Sequence, residues 1–174
     1  MFSLYNIRIV AKYEIKVLWR SWFFRIFSGI ALGFITLMSI GILARFSHAP
    51  WALKGIPSMI PYMNIKLLNV AQAIIAIFLA SDFLKRDKKA DTTEVVYMRS
   101  IDNMDYVFGK TIAVIFMFLA LNFVLLLIAF IIHFFFSDTF FNIFPYLLYP
   151  LYISLPTLMF VIGLAYILML LTRN

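Results

Sequence analysis

Cysteine is absent from this 174-residue chain, which excludes disulfides, thiolate metal sites and cysteine nucleophiles and leaves the redox compartment unread. Histidine is nearly absent: His48 and His133 stand far apart in the chain, so no local histidine-based metal motif exists. Charge is scarce too, at 13% of residues, against about 25% in soluble domains. What replaces it is apolar bulk: 64% hydrophobic residues, 20 of them Phe, and a mean hydropathy of +0.98. A water-soluble globule of this composition would expose large apolar patches that invite aggregation. Lipid is the solvent that such a chain requires.

A membrane-spanning helix needs about 20 predominantly apolar residues, because the hydrocarbon core is roughly 30 Å thick and each residue rises about 1.5 Å. Uncharged gaps therefore locate the spans. The gap from Arg25 to Arg45 predicts a span over 26–44, and the wide gap after Lys110 predicts one over 111–134. The gap from Lys66 to Asp82 is too short unless the helix starts near Pro61 and Lys66 snorkels its amine outward, which gives a span over 62–81. The last gap is broken by Pro145, Pro150 and Pro156. It predicts a span over 151–172, with 139–149 as an interfacial approach and Tyr146, Tyr149 and Tyr152 in the aromatic belt. The fold class expected is an all-α polytopic membrane protein, with about four transmembrane helices preceded by an amphipathic interfacial helix over 1–24. The remainder, 25–174, is the transmembrane domain.

Lys and Arg counts set the orientation. The N-terminal segment, the segment 82–110 and Arg173 carry most of the bases, while Arg45, Lys54 and Lys66 alone lie on the other side. Both termini and a cytoplasmic loop over 82–110 are thus expected to face the cytoplasm, in a multi-pass protein of the cell membrane. Arg8, Lys12, Lys16 and Arg20 fall four apart and form a basic stripe on the first helix, opposite Ile7, Val10, Ala11, Val17 and Leu18. Such a helix is expected to lie along the inner leaflet, its basic stripe at anionic headgroups. Glu14 sits in the middle of the apolar face, with no basic residue at helical spacing. It must either reach water or find a cation from another segment, for which Arg99 and Lys110 are the candidates, Arg99 favoured for its bidentate fork.

The segment 82–110 is hydrated and nearly neutral, with six acids and six bases. Asp91-Thr92-Thr93-Glu94 has the spacing of a capping box. Val95, Val96, Tyr97 and Met98 follow as an apolar run on a short helix, which reads either as a plain connection or as a docking element for a soluble partner. Gly109-Lys110-Thr111 mimics a phosphate-binding loop, but the first glycine of G-x-x-x-x-G-K-[ST] is replaced by Met104. No nucleotide motif, cofactor site or nucleic-acid motif is left, so ATP hydrolysis is not expected of this chain. Within the spans, Lys66, Asn69, Gln72 and Asn122 are candidates for interhelical hydrogen bonding or for a substrate pathway, the former weighted more heavily.

Taken from end to end, the pattern resembles the permease subunit of type-2 ABC exporters. The resemblance rests on Tyr13-Glu14-Ile15-Lys16 with Arg20, on Asp82-Phe83-Leu84-Lys85-Arg86-Asp87, and on Asp91-Thr92-Thr93-Glu94. Arg99, Gly109-Lys110, Leu155-Pro156 and Thr172-Arg173-Asn174 extend it. It implies that the first helix is a connecting helix and that Asp91, Glu94, Val95, Val96, Tyr97, Met98 and Arg99 belong to a coupling helix docked on a separate ATP-binding cassette ATPase subunit. It also implies a second permease half around a shared pathway, with Glu14, Arg99 and Lys110 linking the connecting helix to the coupling segment. The chain departs from that family at Arg99-Ser100, where Arg-Pro is common, and in carrying four of six spans. The rival expectation is a non-transporting membrane scaffold that holds a cytoplasmic protein through the same loop.

Overall fold

The computed structural model describes residues 3–46, 59–89, 102–136 and 142–171. They form α1 (Leu4–Arg20), α2 (Trp22–Phe46), α3 (Met59–Lys89), α4 (Asn103–Phe136), α5 (Phe144–Tyr149), a π-helical turn (Pro150–Ser154) and α6 (Leu155–Leu171). No strand occurs among the described residues. Four stretches are long and apolar enough to cross a membrane: Trp22–Gly41, Ile60–Phe78, Met104–Phe135 and Phe144–Leu168. The protein is therefore an all-α polytopic membrane protein.

In lipid every backbone N–H and C=O must be satisfied within the segment, which is why these apolar runs are helical throughout. Stray hydroxyls obey the same constraint. Ser28, Thr36, Thr111 and Thr157 each donate to the carbonyl four residues earlier, Phe24, Leu32, Val107 and Ile153, at 2.7–2.8 Å, and so carry no unpaired group into the hydrocarbon.

Two helices are longer than any bilayer requires. α3 has 31 residues and α4 has 34, about 46 Å and 51 Å at 1.5 Å per residue. α3 thus continues to Lys89, into the segment expected as a loop over 82–110, while α4, which opens at Asn103, carries Tyr106 into the third span as a helix entering from that segment would. The fourth span also differs from expectation. Helix begins at Phe144, whose N–H donates to Asn142 Oδ1 at 3.0 Å, and runs through Pro145 and Pro150 instead of starting after them. Pro145 occupies the first turn, where no N–H is needed. Around Pro150 the chain widens by one residue, and the Leu155 N–H reaches the Pro150 carbonyl, so a π turn absorbs the missing donor where a break was expected. Tyr146 consequently leaves the aromatic belt: it is buried, Tyr149 is half-buried and only Tyr152 is exposed.

Three apolar layers follow one another along the bundle. At the α1 end, Leu18, Phe24, Ala76, Val114, Met117, Phe118, Leu158 and Ile162 join α1, α2, α3, α4 and α6, with Phe24 and Phe27 edge-on to Phe118. Ala31, Ile35, Leu68, Leu121 and Leu125 form the middle. Ile65, Leu126, Ala129 and Tyr146 close the far end. Lipid tails are as apolar as these side chains, so dispersion and shape, more than the hydrophobic effect, hold the spans together.

α1 packs on α4 along its whole length. Its apolar residues Ile7, Val10, Ala11 and Leu18 are buried there, so the stripe read as an interfacial face is covered by protein. An apolar stripe specifies that something apolar must cover it; a neighbouring helix serves as well as lipid.

Candidate functional site

Glu14 follows its apolar neighbours into that interface. Only 2% of its side chain is accessible, and the Lys110 Nζ lies 3.9 Å from its Oε2. Lys110 comes from the second turn of α4, is itself buried, and stands 4.7 Å over the Tyr106 ring, a distance at which the ring quadrupole attracts the ammonium. At the next residue Thr111 Oγ1 and the Tyr166 hydroxyl are 3.1 Å apart, which brings α6 to the same cluster. Arg99, the other cation considered for Glu14, lies outside the described residues, as do Asp91, Glu94, Val95, Val96, Tyr97 and Met98.

Two residues of this interface were not read from the sequence as site residues. Asp105 is fully buried, and both its carboxylate oxygens accept from the Ser3 N–H at 3.3 Å while Oδ2 also accepts from Asn6 Nδ2 at 3.4 Å. A carboxylate from α4 thus sits at the N-terminus of α1, where orphan N–H groups and the positive end of the helix dipole favour an anion. Ser3 supplies no side-chain cap of its own. Gly109 marks the closest approach of the two helices: a Cβ there would meet Val10 Cβ at 2.7 Å, Val10 Cγ1 at 2.8 Å and the Ile7 carbonyl at 3.0 Å. Inside a long helix a glycine costs roughly 1 kcal/mol against alanine, and that cost was the readable signal.

The pairs Ser3 with Asp105, Val10 with Gly109, Glu14 with Lys110, and Leu18 with Val114 and Phe118 advance together along both chains. α1 and the start of α4 therefore run in the same direction. At the other end of α1 the joint to α2 is one extended residue, Ser21, with the Ser21 N–H on the Leu18 carbonyl and Arg25 Nε on the Trp19 carbonyl, both at 3.0 Å. α1 is thus packed on the start of the third span and joined to the first span by a single residue.

Deeper in the bundle the polar residues pair without charge. Gln72 on α3 and Asn122 on α4, both fully buried, exchange two side-chain hydrogen bonds of 3.0 and 3.3 Å. Asn64 Nδ2 donates to Ser39 Oγ at 2.8 Å, and His133 Nδ1 lies 2.8 Å from the Tyr146 hydroxyl. Asn69 is buried nearby, and its Oδ1, Asn64 Oδ1 and Ser154 Oγ have no hydrogen-bond partner among the described residues. Lys66 does not belong to this group. A three-residue step advances 300°, so Lys66, Asn69 and Gln72 drift by 120° over two steps; Lys66 is left exposed, with its ammonium 5.9 Å over the Tyr62 ring.

Among the described residues no group of His, Cys, Asp and Glu could hold a metal ion. The buried charges are caps and pairs that brace helices, and the buried neutral groups tie spans together. No family model matches this chain, and neither a curated protein nor a solved structure matches it.

Proposed function

We propose that this chain is a permease subunit of a type-2 ABC exporter, seated in the cell membrane with both termini and the segment 82–110 in the cytoplasm. A separate ATP-binding cassette ATPase subunit would hydrolyse ATP, and a second permease half would complete the pathway. One observation carries the reading: α1 is fastened to the start of α4 at three points, the Asp105 cap, the Gly109 contact and the Glu14–Lys110 pair. The fastened unit continues directly into the first and third spans and adjoins the segment expected to dock. Force delivered to the start of α4 would reach both spans through this unit, which is what alternating access driven from outside the bilayer needs. The polar residues of the spans serve the bundle in this reading, with Asn69 and Ser154 the groups left over for a pathway.

The test is assembly. Purification of the tagged full chain from its native membrane should bring down a nucleotide-binding subunit, and Val96→Asp or Tyr97→Asp should abolish that while leaving membrane insertion intact. Each apolar side chain lost from a docked helix represents roughly 1.5–3 kcal/mol. Copurification that survives both substitutions would remove the docking assignment. Cysteines at Ser3 and Ser100 should resist an impermeant external thiol reagent, and one at Ser58 should react; labelling at Ser100 from outside would reverse the orientation.

A further inference from the structure

The three apolar layers do not draw evenly on the helices. α5 supplies Tyr146 to the far layer and α6 supplies Leu158 and Ile162 to the layer at the α1 end, while the middle layer comes from α2, α3 and α4 alone. Between Tyr146 and Leu158 the last span buries only Pro150 and Ser154, and none of the Ser154 surface is accessible. Ser28, Thr36, Thr111 and Thr157 donate to the carbonyl four residues back. Ser154 does not: the Pro150 carbonyl accepts the Leu155 N–H across the π turn, and Ser154 Oγ has no hydrogen-bond partner among the described residues.

A second orphan faces the same seam. α3 runs beside the last span in the same direction, with the Tyr62 ring 6.2 Å from that of Tyr149, Ile65 in the layer of Tyr146 and Ala76 in the layer of Leu158 and Ile162. Asn69 stands between Ile65 and Ala76 in height, and at 3.6 residues per turn it falls within about 40° of Tyr62, Ile65 and Ala76 around the helix. It therefore lies on the face of α3 turned to the last span, at the level of Ser154. Asn64, which meets Ser39 of α2, is about 140° away round the helix and belongs to a different contact. Asn69 is 8% accessible, and its Oδ1 is buried without a hydrogen-bond partner among the described residues.

Where the last span would complete the middle layer, two neutral polar side chains thus stand in place of apolar ones. Buried polar atoms are nearly always bonded to protein or to ordered water, and lipid offers them no donor. We infer that the seam between α3 and the π turn is a binding site for water, held by Asn69 Oδ1 and Ser154 Oγ. Water fits because it donates to the amide oxygen and can either donate to the hydroxyl or accept from it, so that one molecule serves both groups. A metal ion fits less well, since both groups are neutral and no acid of the described residues stands at this level. The π turn creates the need: by engaging the Pro150 carbonyl with the Leu155 N–H it leaves the hydroxyl turned to the seam, and such turns are frequent at functional sites. The inference does not rest on transport and holds for any function of the bundle.

Thermal unfolding of the full chain in mild detergent separates a hydrated seam from a dry one by sign. Ser154→Ala removes a single oxygen. In a dry seam that relieves a stranded group and raises the unfolding temperature; in a hydrated one it takes a bond from the water and lowers it, which is the expected result. Asn69→Leu should lower it as well, and the double variant should lose clearly less than the sum, because either substitution alone releases the shared water. Exchange of sodium for N-methylglucamine at equal ionic strength should change nothing. The chain has no cysteine, so Ser154→Cys carries a single thiol. Its infrared S–H stretch should lie at lower frequency than that of Leu158→Cys in the apolar layer one turn on, and should return toward it when Asn69→Leu is added. A Ser154→Ala protein that unfolds at the same or a higher temperature, additive losses in the cycle, or an S–H band unmoved by Asn69→Leu would each overturn the site. Stabilisation by sodium would also overturn it, because it would assign the two oxygens to a cation.

Discussion

The two ends of the bundle bury polar groups in different ways. At the α1 end the buried polar groups are charged: Asp105, Glu14 and Lys110 are each at least nine-tenths inaccessible. From the middle to the far end they are neutral: Gln72 with Asn122, Asn64 with Ser39, His133 with Tyr146. The difference follows from what lies outside each site. An ion at the centre of a bilayer costs about 2.5–3.5 kcal/mol even on the most lenient scales, a cost that favours charges toward one end of a bundle over its middle. Among the described residues ionic fastening is confined to the α1 end of the bundle, and amide pairs take over from the middle onward. The consequence is mechanical. Charges fasten α1 to α4 as a unit, while neutral bonds of smaller net value hold the spans, so the spans are the part freer to rearrange.

The sharpest way to break this contrast is to remove half of the ion pair. Glu14→Gln or Lys110→Met removes one side of a buried ion pair, which typically costs about 3–5 kcal/mol. We expect either single variant to lose about 3 kcal/mol in thermal or denaturant unfolding in detergent. The double variant should recover most of it, with a coupling of at least 1 kcal/mol in the cycle. Additive losses would show that the two groups act separately and that the α1 end is held by packing alone.

Gly109→Ala tests packing directly. Overfilling a closed interface costs about 1–3 kcal/mol, set against a gain near 1 kcal/mol for replacing glycine in a helix. The obstacles are a Cβ and a backbone carbonyl, neither of which yields easily, so a net loss is expected. Val10→Ala should fail to rescue it, because the Val10 Cβ at 2.7 Å remains. A stabilised Gly109→Ala protein would mean that α1 is not held close to α4.

Asp105→Ala removes the cap of α1 and should cost about 1 kcal/mol, the usual range of such losses being 0.5–2 kcal/mol. The loss should appear locally first, as faster amide hydrogen exchange over the opening turn of α1 with the spans unchanged. Uniform loss of protection would instead tie Asp105 to the whole bundle.

How far these features were legible before the structure depends on the range of the interaction. The four spans were, because lipid forbids charge and the uncharged gaps carry the pattern; the predicted 26–44 and 111–134 fall inside α2 and α4. The fourth was misjudged at its start, since a proline in sequence does not announce whether the helix will break or widen into a π turn. Glu14 stood out as an acid on an apolar helical face, a local property. Which cation meets it is not local: Lys110 does, and nothing in the spacing separates Lys110 from Arg99. The Asp105 cap joins residues 102 positions apart, and Asp105 looked like any other acid of a hydrated segment. Gly109 was conspicuous for the wrong reason, as part of a false nucleotide motif, when its meaning was the close approach of α1. Lys66, Asn69 and Gln72 shared a spacing, yet helical drift sends Lys66 outward and the others in.

The smallest effect is expected in the middle of the bundle, at Gln72 and Asn122. Two hydrogen bonds between fully buried amides look strong, but a membrane span separated from its neighbours still finds partners for such groups, and measured interhelical bonds in lipid average about 0.6 kcal/mol with a ceiling near 1.7. Gln72→Leu alone also strands the Asn122 amide, so it should cost about 1–2 kcal/mol, more than the pair is worth. Gln72→Leu with Asn122→Leu removes both polar groups and should return the protein to within about 1 kcal/mol of wild type, unless the added bulk strains the layer around Leu68 and Leu121. Gln72→Asn with Asn122→Gln keeps the polar groups and approximate total volume and serves as the control for that strain. If the double leucine variant unfolds as easily as the single while the exchanged amides are tolerated, the pair is a structural requirement. The contrast between an ionic α1 end and weakly tied spans would then fail at its weaker side.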